Sequence, residues 1–331
     1  MKILKEWFIK APWGNIALAS CGNPQGEPVL LVHGRLDSLS TFVPLLQILP
    51  ARYYYVAMDL PGNGKSDAFP IGVMVARLLQ VSVIDIVIRH LKWKRFVYIG
   101  HSIGGELGLF YNVIWPGKVL KFIFLDVKPG FQHLQITDVP HYFKSFYAKY
   151  YNDYAIYCID DRKYTKEEAL QAVMRARRMT REQAELVLER NLKDIGNNKF
   201  KLSWDRRQTF LAPINFPPEL YIEIFSKNTR PSLYLNFTKT HDKFYVQGKD
   251  AVNKICAALE KNGDVWMMDV DGNHNVHFTH PESGIMGRSS RGAGAASAWE
   301  ARQHVYVCPS TPDSTCKVLL RSDGSTGQRE V

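Results

Sequence analysis

The segment Gly100-His101-Ser102-Ile103-Gly104 constrains this chain more than any other stretch. It follows an apolar run, Phe96 to Ile99, and opens a segment in which Gly104, Gly105 and Gly108 are interleaved with Leu107, Leu109 and Phe110. That context reads as strand, sharp turn and helix. A serine on such a turn sits on strained backbone, and glycines two residues before and after it relieve the clashes that side chains would make. The helix that follows points its amino end, with free N–H groups and a partial positive charge, at the serine. Ser102 is the candidate nucleophile.

The surroundings repeat the same logic. Pro28 to Val32, Tyr53 to Met58, Phe96 to Ile99 and Val119 to Leu125 are near-continuously apolar, as strands covered on both faces are. Val81, Ile84, Val87, Ile88 and Leu91 recur at helical spacing between the second and third runs. The pattern predicts an α/β fold with a mostly parallel central sheet flanked by helices. From 127 to 217 the rhythm breaks into a Tyr-, Lys- and Arg-rich stretch. There Thr165-Lys166-Glu167-Glu168 and Thr180-Arg181-Glu182-Gln183 have the spacing of capping boxes. Strand-like runs return at Pro231 to Phe237 and Asp264 to Val270. The expected organisation is a core of residues 1–126 and 218–282, a helical cap at 127–217 inserted above the strand ends, and an atypical tail at 283–331. Of the 16 residues from Ser283 to Ala298, 12 are Gly, Ser or Ala, so the tail is expected to be disordered.

Composition narrows the partners. With 46% hydrophobic residues the chain can bury a full core. The net charge of +10 comes without a nucleic-acid motif or a run of five basic residues, so it reads as a basic surface. Five widely spaced cysteines with no CxxC pair argue against a disulfide framework and a zinc site. No signal peptide or apolar run of transmembrane length is evident, and a cytoplasmic protein with no cofactor is expected. Oligomeric state is not encoded in any feature of the sequence.

A serine needs a base and the base an orienting acid, in the order serine, acid, histidine for this architecture. His274, in Asp271-Gly272-Asn273-His274, follows a predicted strand and is the candidate base, with His277 the alternative on the same loop. Asp242, beyond the strand Pro231 to Phe237, is the candidate acid. Asp126, at the end of the fourth strand, is the alternative, with a turn cap as its competing role. Two N–H donors are required for the oxyanion, from Ile103 and from Arg35 or Leu36 after His33-Gly34. The Arg35 side chain can point to solvent or contact an acidic substrate group. Tyr142, Phe143, Phe146, Tyr147, Tyr150 and Tyr151 suggest an aromatic roof, although their helical spacing fits core packing better. Three patterns fall away: Gly62 to Ser66 lacks the first P-loop glycine because Asp59 stands there; Asn236-Phe237-Thr238 lies in a predicted strand; and His274, His277 and His280 lack completing metal ligands.

These residues resemble the α/β-hydrolase superfamily, and within it the serine hydrolase-like (kraken-like) group. The resemblance rests on Leu31 to Asp37, Asp59 to Ser66, the Ser102 turn and Gly272 to His277, with Arg175 to Asn191 and Trp204 to Arg207 in the cap. It spans about residues 5 to 282. It implies a Ser102–Asp242–His274 triad, hydrolysis of a carboxylic ester or related acyl bond of a small molecule, and placement in the cytoplasm, perinuclear vesicles or peroxisomes. The chain departs from the group at Arg35, where a Trp is usual, at Asn63, where a His is usual, and after Pro281-Glu282, where an apolar closing helix is usual. A carbon–carbon bond hydrolase and a catalytically impaired binding protein of the same fold are the alternatives.

Overall fold

The computed structural model describes residues 5–72, 74–128, 138–159, 162–212, 214, 216–240, 249–284, 286–289, 305–309 and 316–320. Strands β1 (Lys5–Ala11) and β2 (Gly14–Gly22) form an antiparallel hairpin, and β2 pairs antiparallel with β4 (Tyr54–Met58). From there the sheet is parallel through β3 (Pro28–Val32), β5 (Phe96–His101) and β6 (Val119–Leu125). After the inserted segment, β9 (Ser232–Phe237) joins β6 and β10 (Val265–Val270) joins β9, both parallel. The insertion holds its own small hairpin of β7 (Leu192–Asp194) and β8 (Phe200–Leu202). The order across the main sheet is β1-β2-β4-β3-β5-β6-β9-β10.

Side chains alternate faces along a strand, so each central strand feeds two cores. Leu30 and Val32 of β3 pack on the side of helices α2 (Arg77–Leu91) and α3 (Ile103–Ile114), together with Val81, Ile84 and Leu107. Val29 and Leu31 face the other side with Leu45 and Leu46 of α1 (Val43–Ile48) and with Val276. The continuous apolar runs thus mark strands with no solvent face. The sequence reading missed β1, where exposed Lys5, Glu6 and Lys10 break the apolar run, and β2, whose buried Ile16 to Cys21 are mostly small residues.

Both predicted capping boxes form: the Thr165 and Thr180 side chains accept from the backbone of Glu168 and Gln183, which reach back to the cap N–H groups. They open helices Lys166–Arg177 and Arg181–Asn191, whose buried Leu170, Val173, Val187 and Leu188 make a separate small core. Phe278, from the loop after β10, completes that core. Past Pro281, where the sequence predicts disorder, the described residues include β11 (Met286–Ser289), β12 (Val305–Pro309) and β13 (Cys316–Leu320). β11 pairs antiparallel with the edge of β10, and β13 pairs with β11 and β12. The unpaired backbone of an edge strand favours such additions, and the Val- and Leu-bearing runs at 305–309 and 316–320 have strand propensity. No helix among the described residues is long and apolar enough to cross a membrane.

Candidate active site

Parallel strands end on one side of a sheet, and the loops that follow them meet there. The loops after β3, β5, β6, β9 and β10 contribute Gly34–Asp37, Ser102, Asp126, Lys239–Thr240 and Asn273–Asn275 to that side. The segment between β6 and β9 borders them, leaving a cavity of about 1100 Å³ lined by Ser102, Ile103, His274, Arg35 and Leu36, with Phe146, Val173 and Trp204 from that segment.

Ser102 has φ 52° and ψ −124°, a conformation L-residues rarely adopt. It is held by its N–H donating to the Leu125 carbonyl at 2.8 Å. The flanking glycines are required because β5 and α3 nearly touch: a Cβ on Gly100 would lie 2.5 Å from the Gly105 Cα, and one on Gly104 would collide with the Val32 carbonyl. Among the described residues seven non-glycine positions have positive φ, and three of them, Leu36, Ser102 and Asp126, lie at these strand ends. Strain gathered at one place is the mark of a functional site more than of a folding necessity.

Two buried histidines build the frame. His33 donates from Nδ1 to the Gly34 carbonyl at 2.7 Å and accepts the Leu60 N–H at Nε2 at 2.9 Å, which fixes its neutral tautomer and the loop bearing Arg35. His101 donates from Nε2 to the His274 carbonyl at 3.0 Å, tying the nucleophile turn to the histidine loop. Burial, then the neighbouring His274, pushes the His101 pKa down to about 3, so its ring is neutral. The N–H groups of Ile103 and Arg35 have no acceptor among the described residues, leaving them available to a ligand oxygen.

His274 is 34% exposed and lines the cavity. Its Nδ1 meets Asp126 Oδ2 at 2.6 Å. Asp126 is buried, stands at φ 53° after β6, and accepts the Phe237 N–H at Oδ1 (3.1 Å) and the Thr240 hydroxyl at Oδ2. The alternative acid is thus the one brought to the histidine, while Asp242 lies outside the described residues. His277, the alternative base, is fully buried, bonds Thr41 Oγ1 through Nε2 at 2.9 Å and is not part of the cavity lining. Ser102 and His274 line the same cavity without a hydrogen bond between them, a looseness common before substrate binds.

Other expectations resolve as packing. Of the six aromatic residues suggested as a roof only Phe146 lines the cavity; Tyr142, Tyr147 and Tyr150 cluster with Met74, Phe210 and Ala212. Asp59, which replaces the P-loop glycine, is a turn organiser that accepts Leu39 N, Lys65 N and Arg190 Nε, each at 2.8 Å.

Two charged pairs escaped the sequence reading. Arg177, at the end of the helix Lys166–Arg177, pairs with Asp37 at 2.8 Å and donates to the Leu36 carbonyl at 2.7 Å, clamping that helix to the loop that presents Arg35. Arg77 and Glu106 approach to 3.0 Å and are 3% and 0% exposed. The signal for Arg77 was present: it sits on the apolar stripe of Val81, Ile84 and Ile88, where a cation needs a reason.

A model of the α/β hydrolase fold family matches residues 27–281. A serine hydrolase-like protein of Danio rerio is 28% identical over 284 residues, covering 84% of this chain and 85% of its own. A serine hydrolase-like protein of Homo sapiens is 43% identical over 124 residues, 38% of this chain and 61% of its own. The crystal structure of a hypothetical protein from Pseudomonas aeruginosa PAO1 superimposes with a TM-score of 0.70 at 21% identity, covering 85% of this chain and 95% of the other. By sequence and by architecture, the chain belongs to the α/β hydrolase fold family.

Proposed function

We propose that this protein is a serine hydrolase that cleaves a carboxylic ester or a related acyl bond of a small molecule. The observation that carries the reading is Ser102, strained at the strand-to-helix turn, opening onto the cavity that also holds His274, whose Nδ1 is bonded to a buried carboxylate. In this reading Ser102 Oγ attacks the acyl carbon and His274 Nε2 takes the hydroxyl proton. Asp126 fixes the tautomer and stabilises the imidazolium. The Ile103 and Arg35 N–H groups hold the oxyanion, and α3 adds its positive end. His274 then passes the proton to the leaving group, and water, activated by the same imidazole, releases the acid.

The alternative is a binding protein of the same fold without catalysis. Reaction with an uncharged fluorophosphonate separates the two. The parent is expected to label and Ser102→Ala not to label; a folded parent that does not label refutes the hydrolase reading.

A further inference from the structure

The cavity is unusually basic. Among the described residues its lining includes seven arginine and lysine side chains and one acid, Asp37. Asp37 is already taken by Arg177, and Lys239 pairs with Asp271 outside the cavity. Arg35 has no acidic partner among the described residues; its Nη1 donates to the Thr209 carbonyl at 3.2 Å.

Beside it lies Arg77, which lines the cavity although the residue is 3% exposed. Its Nε and Nη1, and both oxygens of Glu106, are buried without a hydrogen bond. Gln80, one turn further along α2, is likewise buried with its amide unsatisfied. Burying an ion pair costs several kcal/mol unless hydrogen bonds complete it, and apolar residues on this stripe of α2 would be as stable or more so. The pair is costly to folding as it stands, which points to a ligand. The electrostatics of the corner agree with this geometry. Burial pushes the Glu106 carboxyl up to about 7, so near neutral pH it is only partly ionised. Desolvation, then the charge of Arg77, pushes the Arg35 guanidinium down, as two cations near each other over protein must.

The cationic corner is close to the reacting centre. Arg35 follows Gly34, on which a Cβ would lie 3.2 Å from Ser102 Cβ. Glu106 stands one turn after Ser102 on α3.

We propose that the acyl substrate of this site carries an oxyanion group, a carboxylate or a phosphate, and that Arg35 and Arg77 receive it while Ser102 attacks the acyl carbon. The inference rests on the hydrolase reading. The anionic group is held and not altered: only the acyl bond breaks, and the guanidinium forks supply planar donors that match either oxyanion.

The test compares kcat/KM for p-nitrophenyl hemiglutarate, which is anionic, with that for p-nitrophenyl butyrate, which is neutral. The parent is expected to prefer the anionic ester by about 10- to 100-fold, the range set by one or two charge-assisted contacts. The ratio should collapse toward one in Arg35→Met, persist in part in Arg35→Lys, and collapse in the double variant Arg77→Met/Glu106→Gln, which leaves no buried charge unpaired. The ratio cancels any common effect on the two esters. A parent that labels with the uncharged fluorophosphonate yet hydrolyses both esters equally, or favours the neutral one, overturns the anion site and leaves the hydrolase reading intact. If the parent neither labels nor hydrolyses, the hydrolase reading fails, and thermal shifts with monomethyl glutarate and inorganic phosphate decide the anion site. A rise in Tm lost in Arg35→Met upholds it and tells carboxylate from phosphate; no rise with either overturns it.

Discussion

Replacing Asp126 with asparagine tests the site at its most structurally determined point. The Phe237 N–H donates to Oδ1, so in the variant this position must be held by the amide oxygen. The amide NH₂ is then forced to the Oδ2 position, which faces His274 Nδ1 at 2.6 Å. An NH₂ there donates to Nδ1 and puts the ring proton on Nε2. The wrong nitrogen is then protonated, and His274 cannot accept the Ser102 proton. The loss of the imidazolium's negative partner adds to this. Together these effects are expected to slow reaction about 10⁴-fold, near 5.5 kcal/mol of barrier. Asparagine tolerates the φ of 53° at this position. The fold should therefore survive with a loss of about 1–2 kcal/mol from the weakened acceptor. The assay is the second-order rate of fluorophosphonate labelling, which needs no knowledge of the natural substrate, with circular dichroism melts as the folding control. Asp242→Asn, run in parallel, should label within a few-fold of the parent. Near-parental labelling of Asp126→Asn together with a thousand-fold loss in Asp242→Asn would refute the reasoning and return the acid to the loop after β9.

Acid should weaken the fold. Burial lowers the proton affinity of His33, His101 and His277, His101 to about 3, so below about 6.5 the unfolded chain binds protons that the folded chain refuses. Stability therefore falls as pH drops from 6.5 toward 3, by at most about 1.4 kcal/mol per unit for each ring. Urea midpoints at pH 7 and 5 measure it, and His101→Gln should flatten the slope. Arg177→Met should cost about 3 kcal/mol in urea unfolding, because it leaves the buried Asp37 unpaired. Burial raises the Asp37 pKa, but the Arg177 guanidinium beside it more than offsets this and keeps the carboxyl low. That contribution is present above the ordinary aspartate range near 3.8 and lost as pH falls below it. Phe278→Ala, which empties the contact between cap core and histidine loop, should cost about 3–5 kcal/mol by the same measurement and slow labelling. Gly100→Ala should abolish labelling, since its methyl meets backbone that cannot yield.

The parts of the fold that were legible follow from burial on two faces. A strand such as Val119–Leu125 with no solvent face is written as an apolar run, and β3 and β6 lie at the predicted residues. The two capping boxes were legible because a Thr and an acid or amide three residues apart satisfy each other locally. Strand β1 was not, since exposed Lys5, Glu6 and Lys10 interrupt its apolar residues; β2 is uncharged and buried from Ile16 to Cys21, but small Ala and Ser side chains stand where the other strands carry Val and Leu. Strand β11 was hidden by the Gly/Ser/Ala composition around it, and β12 and β13 are five-residue runs too short to show a period.

The place of Ser102 on a strand-to-helix turn was legible in sequence alone, for a local reason: the glycines at 100 and 104 and the strand-to-helix context lie within a few residues of it. The partner of His274 was not, because Asp126 and His274 are 148 residues apart and meet only when β6, β9 and β10 stand side by side. The carboxylate is selected there by donors from Phe237, Thr240 and His274 converging on its two oxygens, and distance along the chain carries no trace of that. The same holds for Arg35 and Arg77. The sequence shows one as a loop residue and the other as a cation on an apolar stripe. Their common corner of the cavity exists only once β3 and α2 have packed on the same sheet, because electrostatic neighbours are a property of space and not of sequence.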